Sequence, residues 1–79
     1  MNVYPLNTVS INNSVYIYSI NCKETIKRRL LDLGLCNKTK ITPIFKGFLG
    51  DPTAYTVRGS TIALREDDSK DILVTLNEV

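Results

Sequence analysis

Apolar residues recur along this chain in two rhythms, and the change of rhythm marks its elements. From Asn21 to Leu35 the stretch N-C-K-E-T-I-K-R-R-L-L-D-L-G-L places Ile26, Leu30 and Leu33 at i, i+4 and i+7, with Cys22 a turn earlier on the same side. That is the period of an amphipathic helix with one buried stripe. Asn21 is suited to N-cap this helix and Glu24 to reach back to the Asn21 amide in a capping box. Gly34 stands where a Schellman ending needs positive φ, with Leu35 placed to pack back on Leu30.

Elsewhere the rhythm is that of strands. Ser14–Ile20 (S-V-Y-I-Y-S-I) alternates β-branched and aromatic residues after the turn-forming pair Asn12-Asn13, which predicts strand one. Lys40–Lys46 reads as strand two, with Ile41 and Phe45 on one face and Pro43 between them. A proline cannot donate to a ladder, so Pro43 calls for an edge, a bulge or a barrel opening. Thr53–Arg58 and Thr61–Leu64 form a hairpin around Arg58-Gly59-Ser60, pointing Tyr55, Val57, Ile62 and Leu64 inward. Glu66–Asp71 suits a helical turn, and Ile72, Val74 and Leu76 share one face of strand five. Residues 1–13 are polar apart from anchors such as Leu6 and Val9, and read as a lead-in segment.

The predicted fold is therefore mainly β: a small five-stranded barrel, with one α-helix inserted after strand one and a short helical turn before the last strand. Closure is the economical way for so short a chain to remove exposed edges. At 79 residues, 1–79 is expected to be a single domain, and 43% hydrophobic against 23% charged residues argues for a folded chain. No run approaches 18 apolar residues and the N-terminus lacks the layout of a signal peptide; the expectation is a soluble protein that stays in the cytoplasm. Cys22 and Cys36 lack C-x-x-C spacing and read as free thiols.

Charge adds a further feature. Residues 22–65 carry nine Lys or Arg against three acids, whereas residues 66–79 carry one Lys against five acids, so the mild net charge conceals a local dipole. On the helix, Lys27, Arg28 and Arg29 cannot all point inward with Ile26 and Leu30. Three adjacent cations repel one another, so local stability does not explain their grouping. They are either a solvated face partly neutralised by Glu24 and Asp32 or a docking surface for an acidic partner. Gly47–Pro52 contains a second feature: Phe48 and Leu49 are apolar where loops are usually polar, and either fold onto the core or wait for a partner.

Chemistry for catalysis is sparse. There is no histidine, no Ser, Cys or Thr with a base at recognisable spacing, and neither G-x-x-x-x-G-K-[ST] nor G-x-G-x-x-G, so no enzymatic activity is expected. Glu66, Asp67, Asp68 and Asp71 can hold a hard cation through oxygens, as in a small metal sensor, or simply serve as acids at a helix N-terminus. The scattered tyrosines and cations permit a nucleic-acid reading without an aromatic–basic run to support it. Binding of a proline-rich peptide lacks the clustered aromatics it needs.

Four segments in register, Arg28–Leu35 (R-R-L-L-D-L-G-L), Gly50-Asp51-Pro52, Val57-Arg58-Gly59 and Ile62-Ala63-Leu64-Arg65, closely resemble the FeoA family of ferrous iron transport accessory proteins. The similarity runs from residue 6 to residue 76. It implies an SH3-like barrel, similar also to the C-terminal domain of iron-dependent repressors of the diphtheria toxin repressor type. It further implies a cytoplasmic, non-enzymatic role beside FeoB, the membrane transporter for Fe(II), with Lys27, Arg28, Arg29, Phe48, Leu49 and Asp51 as the partner-binding set. No resident cofactor is implied; association with Fe(II) is left open, through the Glu66, Asp67, Asp68 and Asp71 acids, without a set of ligand-type residues to support it. Where the family usually has Pro-Gly after the helix, this chain has Asn37-Lys38, so one of these two residues must take the left-handed conformation.

Overall fold

A computed structural model describes residues 2–77. Along the chain run β1 (Tyr4–Pro5), a 3-10 turn (Leu6–Thr8), β2 (Val15–Ile20), α1 (Glu24–Asp32), β3 (Lys40–Lys46), a turn at Phe48–Gly50, β4 (Thr53–Val57), β5 (Ser60–Leu64), α2 (Glu66–Ser69) and β6 (Ile72–Thr75). All pairings are antiparallel, in the order β1-β6-β2-β3-β4-β5.

Two expectations are corrected at once: among the described residues there are six strands, and the edge strands β1 and β5 do not pair, so the sheet is not closed into a barrel. The extra strand lies in the lead-in segment, where Tyr4 pairs with Val74 and Pro5 with Leu73. Two residues are too few to show a period. Pro5 is tolerated because β1 is an edge, where no donor is needed on the outer side. Immediately beyond it Leu6 is fully buried, which makes the segment part of the core and places α1 after the second strand.

Two bulges decide which side chains reach that core. In β2, strict alternation from Val15 and Ile17 would send Ser19 inward. The register against β6 shifts between Ile17 and Ser19, so exposed Tyr18 takes up the extra position and Ile20 turns inward instead. In β3 the shift lies between Pro43 and Phe45, where Pro43 pairs with Tyr55 and Phe45 with Ala54. The bulge that Pro43 calls for is present, and it overturns the expectation that Phe45 shares a face with Ile41: Ile41 is buried and Phe45 is 59% exposed. The hairpin agrees with its reading, with Tyr55, Val57 and Leu64 buried and Ile62 packed against the core. β6 stops at Thr75, so Leu76 lies beyond the last pair and is exposed rather than inward.

The helix begins later than expected. Asn21 donates its amide to Asp71 O at 2.8 Å, which prolongs the β2–β6 ladder by one step. A residue held in the ladder cannot turn the chain, so the N-cap position passes to Lys23, without a side-chain cap, and no capping box forms. The far end follows the Schellman pattern: Leu35 N donates to Leu30 O at 2.9 Å and Gly34 N to Leu31 O at 3.0 Å, with Gly34 at φ +97°. This reversal brings Leu35 into the core with Leu30, while Leu33, expected in the stripe, is left 47% exposed. Of the two candidates in the following connector, Lys38 takes the left-handed conformation, at φ +73°. It does so because Lys38 N donates to Ile17 O at 2.7 Å and Thr39 O accepts from Ile17 N at 2.9 Å, pinning the turn to β2.

Leu6→Ala should destabilise the fold by about 2–4 kcal/mol, read as a lowered midpoint in urea unfolding; a change within error would detach the N-terminal segment from the core. Gly34→Ala should cost about 1–2 kcal/mol through its positive φ. A Cβ there would also stand 3.1 Å from Arg58 Cδ, so adding Arg58→Ala should recover only the contact part of that loss.

Candidate functional site

The segments that carry the sequence pattern meet in pairs. Asp51, from Gly50-Asp51-Pro52, reaches the start of α2, where its Oδ1 accepts the Glu66 amide at 2.9 Å and its Oδ2 stands 4.0 Å from Arg65 Nη1. No residue of α2's own flank provides a side-chain cap, so Asp51 supplies one from fifteen residues away. Arg58, from Val57-Arg58-Gly59, lies with its Cδ against Gly34 and its Nη2 3.9 Å from Cys36 Sγ, at the end of α1. A Cβ at position 34 would stand 3.1 Å from that Cδ, so the glycine eases the crossing of the helix ending.

On α1 the cations Lys27, Arg28 and Arg29 are all exposed. Among the described residues, the ion pairs within 4.0 Å are Arg65–Asp51 and Lys70–Asp67. The neutralisation of Arg28 and Arg29 by Glu24 and Asp32, one basis of the solvated-face reading, is therefore absent as direct pairing. Half-exposed leucines complete this surface: Leu31 stands one turn after Lys27 and Leu33 one turn after Arg29, each 47% exposed.

The Gly47–Pro52 loop is closed on itself. Gly47 N donates to Pro52 O at 2.7 Å and Gly50 N to Gly47 O at 2.8 Å. A Cβ on Gly47 would meet Pro52 O at 2.8 Å, so the closure requires glycine at that position. At its tip Phe48 is 89% and Leu49 90% exposed, and Leu49 is held at φ +66°. The choice left open between core and surface is decided: these side chains leave the core entirely. Sequence alone could not decide it, because apolar character fits both outcomes.

The short helix α2 holds both regions. Asp51 ties the loop to Glu66, while Cys22 Sγ, just before α1, donates to Asp68 O at 3.4 Å. Burial, reinforced by Asp68 and Asp71, pushes the Cys22 thiol up. The acids themselves do not assemble: Asp67 faces Lys70 at 3.8 Å, and among the described residues no three His, Cys, Asp or Glu side chains converge to hold a metal ion. Glu66, Asp67 and Asp68 occupy the first turn of α2, where their charge complements the helix dipole.

A second group of cations lies on the sheet, apart from α1. Lys38, Lys40 and Arg58 line a groove with Thr39, Thr42 and Thr56 on the outer face of β3 and β4. The Lys-x-Lys spacing was visible in the chain, but the register that brings Arg58 to it was not. Cys36 lies beside it, its thiol shifted down by the Thr39 hydroxyl and, more weakly, by Arg58.

The FeoA domain family model matches residues 4–76. No curated protein matches the chain significantly. Among solved structures, a FeoA-like protein from Clostridium acetobutylicum is 34% identical, with a TM-score of 0.85 over 100% of this chain and 93% of its own. The FeoA of Stenotrophomonas maltophilia, a prokaryotic SH3-domain protein complexed with zinc, is 25% identical, with a TM-score of 0.80 over 92% of this chain and 91% of its own. IdeR of T. acidophilum, 19% identical, shares the fold: a TM-score of 0.83 over 98% of this chain and 35% of that one. The match spans nearly every described element, both motif pairings included, and the chain belongs to the FeoA family, which is associated with ferrous iron transport.

Proposed function

We propose that this chain is a cytoplasmic, non-catalytic accessory protein of ferrous iron uptake that docks on the cytoplasmic part of the FeoB transporter. The observation that carries the reading is the tip of the Gly47–Pro52 loop: two large apolar side chains, 89% and 90% exposed, on a loop closed by its own backbone. Exposing Phe48 and Leu49 to water gives up burial of about 1.5–3 kcal/mol each, and a left-handed leucine adds strain. A surface that retains both is suited to a partner, with the two side chains as apolar anchors.

The helix supplies the complementary charge. Lys27, Arg28 and Arg29 stand free of ion pairs among the described residues and would speed encounter with an acidic surface. Leu31 and Leu33 beside them provide contact area. Asp51, anticipated in the same set, is occupied with the α2 amide, and its part is to hold the loop rather than to touch the partner. The role proposed for the Stenotrophomonas relative, a ferrous iron transport activating factor, is in keeping with this reading. Fe(II) is here the cargo of the partner.

Three outcomes test the proposal, with amide-shift titration and calorimetry against the cytoplasmic G-protein domain of the cognate transporter, loaded with GDP or a GTP analogue. Phe48→Ala with Leu49→Ala should weaken binding by about 2 kcal/mol or more, roughly thirtyfold. Arg28→Glu with Arg29→Glu should slow association about tenfold and reduce its salt dependence while the fold stays intact; unchanged binding in both double variants sinks the docking face. Asp51→Asn, which keeps an acceptor but loses the charge, should lower fold stability by about 0.5–1 kcal/mol and leave affinity within twofold. A tenfold loss of affinity in that variant would return Asp51 to the contact surface.

A further inference from the structure

We infer that the groove between Lys38, Lys40 and Arg58 is a binding site for a compact multivalent phosphate anion. It is independent of the docking reading, because none of its residues belongs to the α1 shoulder or to the Gly47–Pro52 loop.

The strand register builds the site. Along β3, Ile41 and Pro43 face the core, so Lys40 and Thr42 face outward. Thr42 pairs with Thr56 of β4, and one step beyond the Ile41–Val57 pair the chain turns at Arg58, beside Lys40. Lys38 arrives from the turn that precedes β3. The result is a groove of about 500 Å³ whose lining contains three cations and three threonines and no acidic residue.

Stability does not account for this arrangement. Like charges on neighbouring strands repel, and among the described residues no carboxylate lies within 4.0 Å of any of the three. Both Lys38 (φ +73°) and Arg58 (φ +51°) are held in the left-handed region, which side chains with a Cβ seldom occupy. Each of these backbone positions is fixed by its turn, through the Lys38–Ile17 hydrogen bond and the β4–β5 hairpin, and both residues line the same groove.

The lining also selects the ligand. It offers ammonium groups, a planar guanidinium and the Thr56 hydroxyl, donors that recognise phosphate oxygens, while the Thr39 and Thr42 hydroxyls are bonded to Gly34 O and Ser14 Oγ. No apolar or aromatic side chain lines it, so a peptide would find no anchor and a nucleobase no stacking surface. β3 and β4 are interior strands, which removes strand addition as a way of holding a peptide. What remains is a small anion carrying several charges, free or as the phosphate group of a larger molecule.

The test is an amide-shift titration of the labelled chain with inorganic phosphate, inorganic diphosphate and a nucleoside diphosphate at constant ionic strength, sodium chloride serving as the blank. Saturable shifts confined to residues 38–42 and 56–59, with diphosphate binding more tightly than phosphate, are expected. Lys40→Gln with Arg58→Gln should raise the diphosphate Kd at least tenfold while shifts elsewhere report an intact fold. Lys27→Gln with Arg28→Gln, on the helix, should leave that Kd unchanged. A nucleoside diphosphate bound no more tightly than diphosphate would assign the site to the free anion; tighter binding would assign it to a phosphorylated molecule. Shifts spread over all the cations, or a Kd indifferent to Lys40→Gln with Arg58→Gln, would overturn the inference.

Discussion

The last strand of this chain lies between the first two, and the rest of the structure depends on that insertion. β6 pairs with β1 on one side and β2 on the other, so Ile72 and Val74 meet Leu6 from the beginning of the chain and Ile17 and Ile20 from the next strand in one buried cluster. A domain of this size has little core to spare. Tying both ends of the chain to one ladder lets a sheet with two free edges serve where a closed barrel was expected. The free edges are modest: β1 has two residues, one of them proline, and β5 has five.

The same ladder governs the helix. Because Asn21 continues the β2–β6 pairing through Asp71, α1 starts two residues later than its best capping residue would suggest. It is then fixed at its other end by the Schellman reversal that buries Leu35. Between these constraints Leu30 is its one fully buried residue, with Ile26 half-buried. A helix attached along so narrow a line presents most of its circumference to solvent, and its basic and leucine-bearing sides are available together.

Strain is distributed unevenly. Among the described residues Asn12, Lys38, Leu49 and Arg58 are the non-glycine residues with positive φ, and asparagine is the one among them that adopts it readily. The other three lie at the exposed loop tip or around the cationic groove, away from the core. Residues held against their backbone preference need surroundings that over-determine them. Here those are the hydrogen bonds closing the Gly47–Pro52 loop, the pinning of Lys38 to β2 and the tight β4–β5 turn.

The sequence by itself determined the helix and its ending, the second to sixth strands to within a few residues, the family through four spaced motifs, and the pool of candidate residues. These are local properties: a period, a glycine with positive φ, a turn pair, a motif. The tertiary structure alone decided the facing and company of side chains. The bulge at Ile44 carried Phe45 out of the core, the bulge at Tyr18 carried Ile20 into it, and a two-residue strand with no period of its own turned Leu6 from a loop anchor into a core residue. Asp51 became a helix cap because Glu66 arrives beside it, and Arg58 joined Lys38 and Lys40 because the β3–β4 register brings them together. Contacts across many residues depend on strand register, and a single inserted residue reverses them, so the pattern along the chain names the participants without saying which of them meet.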